Sequence, residues 1–346
     1  MLDRTVSIKG HILKAYEFSS SRSNRTVEVT NRNGRLASAV VAGVAAILIA
    51  IGISAAYTQE LRTIRDRVSR SSQVIQTRQG LTEFTTWGSG PAVLVAHGAG
   101  AGYDQGSMIA KAYGGDGFRW IVPSRFGYLR SPLPADASTA AQADAFAELL
   151  DALGIPRVAI LAMSGGVPPS LQFAQRYPAL TSALILLSSA PYAPLRAAAQ
   201  KLPVPAWVYQ ALFRSDFPYW VLQKVGGESL ESIFDVTPMA RAAMTREEKV
   251  FVAGMVAAFQ PVSQRVDGTR NEGAAIDPRA YDVGGEISAP TLVIHARDDG
   301  INPFMFGEYT AQHIQGADFM ALSSGGHLLL GHQAEVRARV NSFLRQ

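Results

Sequence analysis

RVAILAMSGGVPPSLQFAQRYP (157–178) is the stretch whose reading decides the fold. RVAILAM (157–163) is an unbroken apolar run of the length of a buried strand, and VPPSLQFAQRYP (167–178) reads as a helix. Ser164-Gly165-Gly166 is all that separates them. A strand that turns so sharply into a helix lifts its serine above the sheet edge on strained backbone. Residues two away must then be small, as Ala162 and Gly166 are. The helix start also presents backbone amides to developing negative charge. Taken alone, small-x-Ser-x-Gly fits a helix-capping serine better than a nucleophile.

Working outward, AVLVAH (92–97), RWIVP (119–123), SALILLS (182–188) and TLVIHA (291–296) are further short apolar runs. Helical stretches alternate with them at 138–153, 167–178 and 334–344, which predicts a mostly parallel sheet with helices on both faces. SQVIQTR (72–78) and LTEFTTW (81–87) alternate about Gln79-Gly80 as a hairpin. Residues 191–285 lack buried-strand runs and carry Trp207, Phe213, Phe217, Tyr219 and Trp220. An interval that long is a mostly helical insertion covering the site, with one or two of these aromatics lining a pocket and the rest fastening the insertion to the body. The body is thus 72–190 and 286–346, with 191–285 as its cap.

Chemistry gathers at the ends of these strands. AVLVAH runs into His97-Gly98-Ala99-Gly100, a loop able to aim the Ala99 N–H at a tetrahedral oxyanion beside the N–H of Gly165. Read instead as a dinucleotide loop, Gly98, Gly100 and Gly102 need a glycine at 103, where Tyr103 stands, and an acid that RWIVPSR does not supply. Asp298 and Asp299 follow TLVIHA, and His327 lies in LSSGGHLLLGH before the last helix. No acid follows SALILLS, so Asp299 is preferred, while Asp298 can cap or pair locally. The order Ser, Asp, His is that of a nucleophile, an orienting acid and a general base. His332 sits where the last helix begins, His97 and His295 sit at strand ends, and His313 is on a helix face, all explained by packing or surface position. His327 and His332 lack a carboxylate at helical spacing, so no metal is expected, and no cofactor.

The chain has 346 residues, no cysteine and 47% hydrophobic residues, which excludes disulfides and thiolate sites and allows a large core, a membrane segment or both. Its net charge of +4 is uneven. Residues 1–78 hold 12 Lys/Arg against 5 Asp/Glu, while the remainder holds 20 against 23. A basic N-terminal region on a mildly acidic body suits anionic lipid rather than nucleic acid. From Leu36 to Gln59 no residue is charged, and SAVVAGVAAILIAIGISAAY (38–57) has no polar stripe. Residues 36–57 are long enough to span a bilayer as one helix after a basic tail, 1–35. Ser54-Ala55-Ala56 resembles a signal-peptide cleavage site, but the basic region and apolar run are both too long for a usual signal. Arg4, Lys9 and Lys14 tip the charge toward a cytoplasmic N-terminus, with the body on the non-cytoplasmic side. Residues 58–71 form a stalk, solvated or lying on headgroups through Leu61, Ile64 and Val68.

Together these residues resemble the α/β-hydrolase superfamily over about 72–190 and 286–346. His97-Gly98-Ala99-Gly100 is similar to its oxyanion loop, Ala162 to Gly166 to its nucleophile elbow, and His295 to Asp299 to its acid motif. Gly326-His327 matches its terminal histidine. Ser124 to Ser131 resembles its D-x-x-G-x-G-x-S turn, with Ser124 in place of the Asp and Leu129 in place of the second Gly. The resemblance implies a hydrolase with a helical cap over a triad of Ser164, Asp299 and His327. The apolar, aromatic cap and the anchor at 36–57 add the expectation of a membrane-anchored enzyme acting on a small hydrophobic ester or related acyl compound. Serine at the elbow argues against the dehalogenase and epoxide-hydrolase branches. The glycine-rich loop is also similar to that of carbon–carbon bond hydrolases of the same fold. A tethered, non-catalytic binding or sensor protein is the alternative from another class.

Overall fold

The computed structural model describes residues 21–192, 195, 207–208, 211, 214–274 and 287–346. It divides into two units, Met1–Glu60 and Leu61–Gln346. Helix α1 (Ser21–Arg70) runs through the first into the second. It is long and apolar enough to cross a membrane, and its apolar stretch is not buried within the chain. A membrane span and a signal sequence share these features. Residues 1–20 of the basic tail lie outside the described residues.

In the second unit, eight strands form one sheet in the order β1-β2-β4-β3-β5-β6-β7-β8. The hairpin β1 (Gln73–Thr77) and β2 (Gly80–Trp87) joins β4 (Arg119–Pro123) antiparallel; every later pairing is parallel. β3 (Ala92–Ala96), β5 (Val158–Met163), β6 (Thr181–Leu187) and β7 (Thr291–Ala296) are, with β4, the five expected apolar runs. Their continuity reflects cover on both sides. Along β5, Val158, Ile160 and Ala162 pack with α3 (Thr139–Ala152) and α4 (Val167–Arg176). Ala159, Leu161 and Met163 point the other way, toward α2 (Tyr103–Tyr113) and the terminal helix α10 (Gln333–Leu344). Each fully buried leucine in these layers contributes about 1.5–3 kcal/mol. Near the C-terminus, α9 (Met305–His313) leads into β8 (Asp318–Leu322).

Residues 58–71 depart from the expected stalk. The helix continues to Arg70, Leu61 and Val68 are buried, and Ile64 packs against the core. Arg65 Nη2 also meets Asp216 Oδ2 at 3.0 Å. Three apolar side chains at helical spacing find the body's core, so neither solvent nor headgroups receive them.

Between β6 and β7 the described residues form no strand. They contain α5 (Asp216–Leu230), α6 (Pro238–Ala243), α7 (Arg246–Ala257) and α8 (Val266–Ala274). Thr245 and Glu248 close a capping box on α7. The other oxygen of Glu248 accepts from Gly331 N at 2.6 Å and Gln333 N at 3.3 Å, which ties this insertion to the start of α10.

Candidate active site

Ser164 stands at the end of β5 with φ 51°, a left-handed conformation that costs a non-glycine residue energy and is kept where the surroundings over-determine it. The determinants are close. A Cβ on Gly166 would run into Ala96 O and lie 2.8 Å from His97 O; one on Gly98 would lie 3.2 Å from Ser164 Cβ. The loop expected to hold the oxyanion therefore lies directly against the serine, and Ala99 lines the same cavity as Ser164. Gly165 follows in the single 3-10 turn that opens α4.

His97 and Arg125 hold that loop. His97 Nδ1 donates to Gly98 O (2.8 Å), and its Nε2 accepts from Arg125 N (2.9 Å). Burial and the nearby Arg125 charge keep its pKa well below the usual range, so it is a neutral scaffold. Arg125 Nε donates to His97 O at 2.8 Å.

Asp299 and His327, the expected acid and base, meet across 28 residues. His327 Nδ1 lies 3.0 and 3.2 Å from the two Asp299 oxygens. Asp299 Oδ1 accepts from Ile301 N (2.9 Å) and Asn302 N (2.8 Å), and Oδ2 lies 3.3 Å from His295 Nε2. Burial raises the Asp299 pKa, but His327 and His295 outweigh it and hold the carboxyl well below its ordinary range. Burial lowers the His327 pKa; Asp299 and then Asp235 reverse this and leave it raised. Asp298 instead accepts from Gly325 N (3.2 Å) and Gly326 N (2.9 Å), which shapes the histidine loop. His332 pairs with Glu335, a carboxylate three residues on that corrects the expectation of none at helical spacing, and His313 stacks on Tyr309.

Ser164 and His327 line one cavity of about 270 Å³. Ser164 Oγ accepts from Asn302 Nδ2 at 3.4 Å, and its hydrogen bond with His327 is not made in this arrangement. Catalytic hydrogen bonds of substrate-free sites are commonly long and tighten once substrate binds. Ile109, Met163, Ile233, Phe234, Met255 and Phe259 supply most of the apolar wall. None of Trp207, Phe217, Tyr219 or Trp220 is among the lining residues: Trp207 is 73% exposed, and Tyr219 is buried against Phe259. Phe213 lies outside the described residues. The expectation that one of these aromatics lines the pocket fails for the four described, because the cap turns other side chains inward.

Asn302, Asp235 and Glu272 are site residues that sequence reasoning missed. Asn302 alone carried a signal, as a polar residue three after the acid in DDGINP. Asp235 reaches in from the cap on left-handed backbone (φ 64°), and its Oδ2 accepts from Gly300 N (2.7 Å) and His327 N (3.2 Å). Both bonds fall on one oxygen, so Asn can preserve them while removing the charge. That charge helps raise the His327 pKa, and the base is active only when neutral. Asp235→Asn is therefore expected to carry the acid limb of kcat/KM to lower pH, read from a pH–rate profile. A limb that stays in place removes Asp235 from the electrostatics of the base.

The family comparison agrees with this geometry. The alpha/beta hydrolase fold model matches residues 91–331, and the chain belongs to that family. It is a hydrolase of that fold, with likenesses in both sequence and structure. The hydrolase YcgS of Bacillus subtilis is 27% identical over 285 residues, covering 77% of this chain and 95% of its own. A 2-hydroxy-6-oxononadienedioate/2-hydroxy-6-oxononatrienedioate hydrolase of Paraburkholderia xenovorans is 28% identical, covering 70% and 82%. An alpha/beta hydrolase fold protein from Nakamurella multipartita superposes with a TM-score of 0.69 at 25% identity, covering 80% and 99%.

Proposed function

We propose that this chain is a membrane-anchored serine hydrolase that cleaves a carboxylic ester or related acyl compound through an acyl-Ser164 intermediate. The observation that carries the reading is that a serine on left-handed backbone and an Asp299-paired histidine line one largely apolar cavity. Ser164 Oγ attacks the carbonyl carbon while His327 Nε2 takes its proton. Asp299 keeps the other proton on Nδ1 and stabilises the imidazolium. The oxyanion takes the N–H groups of Ala99 and Gly165. Collapse expels the alcohol, protonated by His327, and water then attacks the acyl carbon with His327 again as base. The second collapse breaks the acyl–Oγ bond, returns the proton from His327 to Ser164 and releases the acid. Residues 36–57 form the single-pass anchor, with the catalytic unit on the non-cytoplasmic side.

A carbon–carbon bond hydrolase is the second reading, favoured by the likeness to relatives named for 2-hydroxy-6-oxo-dienoate substrates. Labelling the full chain in native membranes with a fluorophosphonate, followed by peptide mapping and a panel of p-nitrophenyl esters, separates these. The expected result is an adduct on Ser164, ester turnover, and protein that alkaline carbonate does not strip from the membrane. An adduct without turnover at any chain length removes the ester reading and leaves the carbon–carbon one. Absence of an adduct removes both and leaves a tethered binding protein. A shortened, soluble product removes the anchor.

A further inference from the structure

Glu272, from the cap, is the one carboxylate among the described residues that line the largely apolar cavity. Glu272, on α8, is a lining residue together with Ser164. Its Oε1 accepts from Tyr128 Oη at 2.6 Å and from Arg125 Nη2, and Arg125 Nη1 lies 3.4 Å from Oε2. A Cβ placed on Gly165 would lie 2.6 Å from Glu272 Oε2 and 3.2 Å from Arg125 Nη2. The carboxylate thus rests against the residue that follows the nucleophile. Arg125 is buried, its Nε already engaged by His97 O, and Glu272 and Tyr128 override its burial to hold its pKa above the ordinary value.

The order of the two charges matters. Glu272 faces the cavity and Arg125 is not among its lining residues, so an incoming group meets the anion and not the cation. Paired in this way, Glu272 opposes an oxyanion less than a bare carboxylate would. A second carboxylate brought close on the substrate has no such partner, since Arg125 is already occupied. Low-dielectric walls strengthen the repulsion.

We infer that Glu272 sets the charge of the acyl group this site accepts: neutral acyl chains enter, and those bearing a carboxylate a few atoms from the scissile carbonyl are turned away. This rests on the acyl-Ser164 reading. A tie that merely fastened the cap would not require its carboxylate to line the cavity beside the nucleophile.

The test compares 4-nitrophenyl levulinate with 4-nitrophenyl hydrogen succinate on the full chain, a pair that differs by a methyl ketone against a carboxylate. Wild type is expected to favour the levulinate. Glu272→Gln keeps the volume and an acceptor for Tyr128 while removing the charge; Glu272→Ala removes both charge and bulk. Either is expected to raise the succinate-to-levulinate ratio of kcat/KM by about tenfold or more, the scale of a removed like-charge contact. If Glu272 only fastens the cap, both esters slow together and the ratio holds within about twofold in both variants, which overturns the inference. Labelling rates of two alkyl fluorophosphonates, one neutral and one ending in a carboxylate, give the same ratio without turnover. A chain that labels with this charge preference but hydrolyses neither ester loses the ester reading and keeps the assignment of Glu272.

Discussion

Asp299→Asn is expected to lower kcat on the best ester of the panel by about 10³–10⁴-fold, the scale seen when a triad acid is replaced by its amide. The surroundings dictate which way the new amide turns. Asp299 Oδ1 accepts two backbone amides, Ile301 N and Asn302 N, so the asparagine oxygen must stay there. The NH₂ group then occupies the Oδ2 position, 3.0 Å from His327 Nδ1. An N–H facing Nδ1 demands a lone pair on that nitrogen, and the imidazole proton moves to Nε2. His327 then presents a donor where Ser164 needs a base. The carboxylate is also the largest influence raising the His327 pKa against its burial, so the residual activity should retain its acid limb to lower pH than wild type. Asp298→Asn is the control: among the described residues that side chain meets the loop amides of Gly325 and Gly326 and not His327. Activity of Asp299→Asn within about tenfold of wild type would remove Asp299 from the mechanism.

This pairing shows how far the chain could be read without coordinates. The central strands were legible because both faces of β3, β5, β6 and β7 are covered, which writes them as continuous apolar runs. β8 escaped notice for the converse reason: at the sheet edge, DFMAL is half exposed and its pattern is mixed. That Ser164 and the Asp299–His327 pair would come to one cavity was legible because the topology delivers strand ends to one rim in a fixed order. The cap is different. Ile233, Phe234, Met255 and Phe259 line the cavity while Trp207 faces solvent, and no local periodicity distinguishes them. Asp235 and Glu272 were illegible for the same reason, since their partners are Gly300 and His327 in one case and Arg125 and Tyr128 in the other.

The substitution of Ser124 for the usual Asp has a structural answer, and it leads to the largest expected loss of stability. A carboxylate does reach this turn, but from β2. Glu83 is fully buried; its Oε2 accepts from Ser124 Oγ (3.1 Å) and Arg130 N (3.0 Å). Oε1 accepts from Arg130 Nε (2.7 Å) and Ser72 Oγ (2.7 Å). Its own backbone joins in, with Glu83 O accepting from Ser124 N at 2.8 Å and Glu83 N lying 2.9 Å from Ser131 Oγ. The turn has therefore exchanged a carboxylate of its own for one supplied across 41 residues, with Ser124 as the hydroxyl that receives it. Every group around the Glu83 carboxylate is a donor as arranged, so Glu83→Gln sets an NH₂ against one side of the cluster and leaves Arg130 without its counter-charge. Breaking a buried pair from one side costs about 3–5 kcal/mol. Arg130 keeps 34% of its side chain open to solvent, which places the expectation at the lower end, about 3 kcal/mol. For a body of this size that corresponds to roughly 5 °C in Tm, read by thermal unfolding followed by circular dichroism. A Tm within about 2 °C of wild type would mean that the hydroxyls and water satisfy the turn unaided, and that Glu83 does not stand in for the missing aspartate.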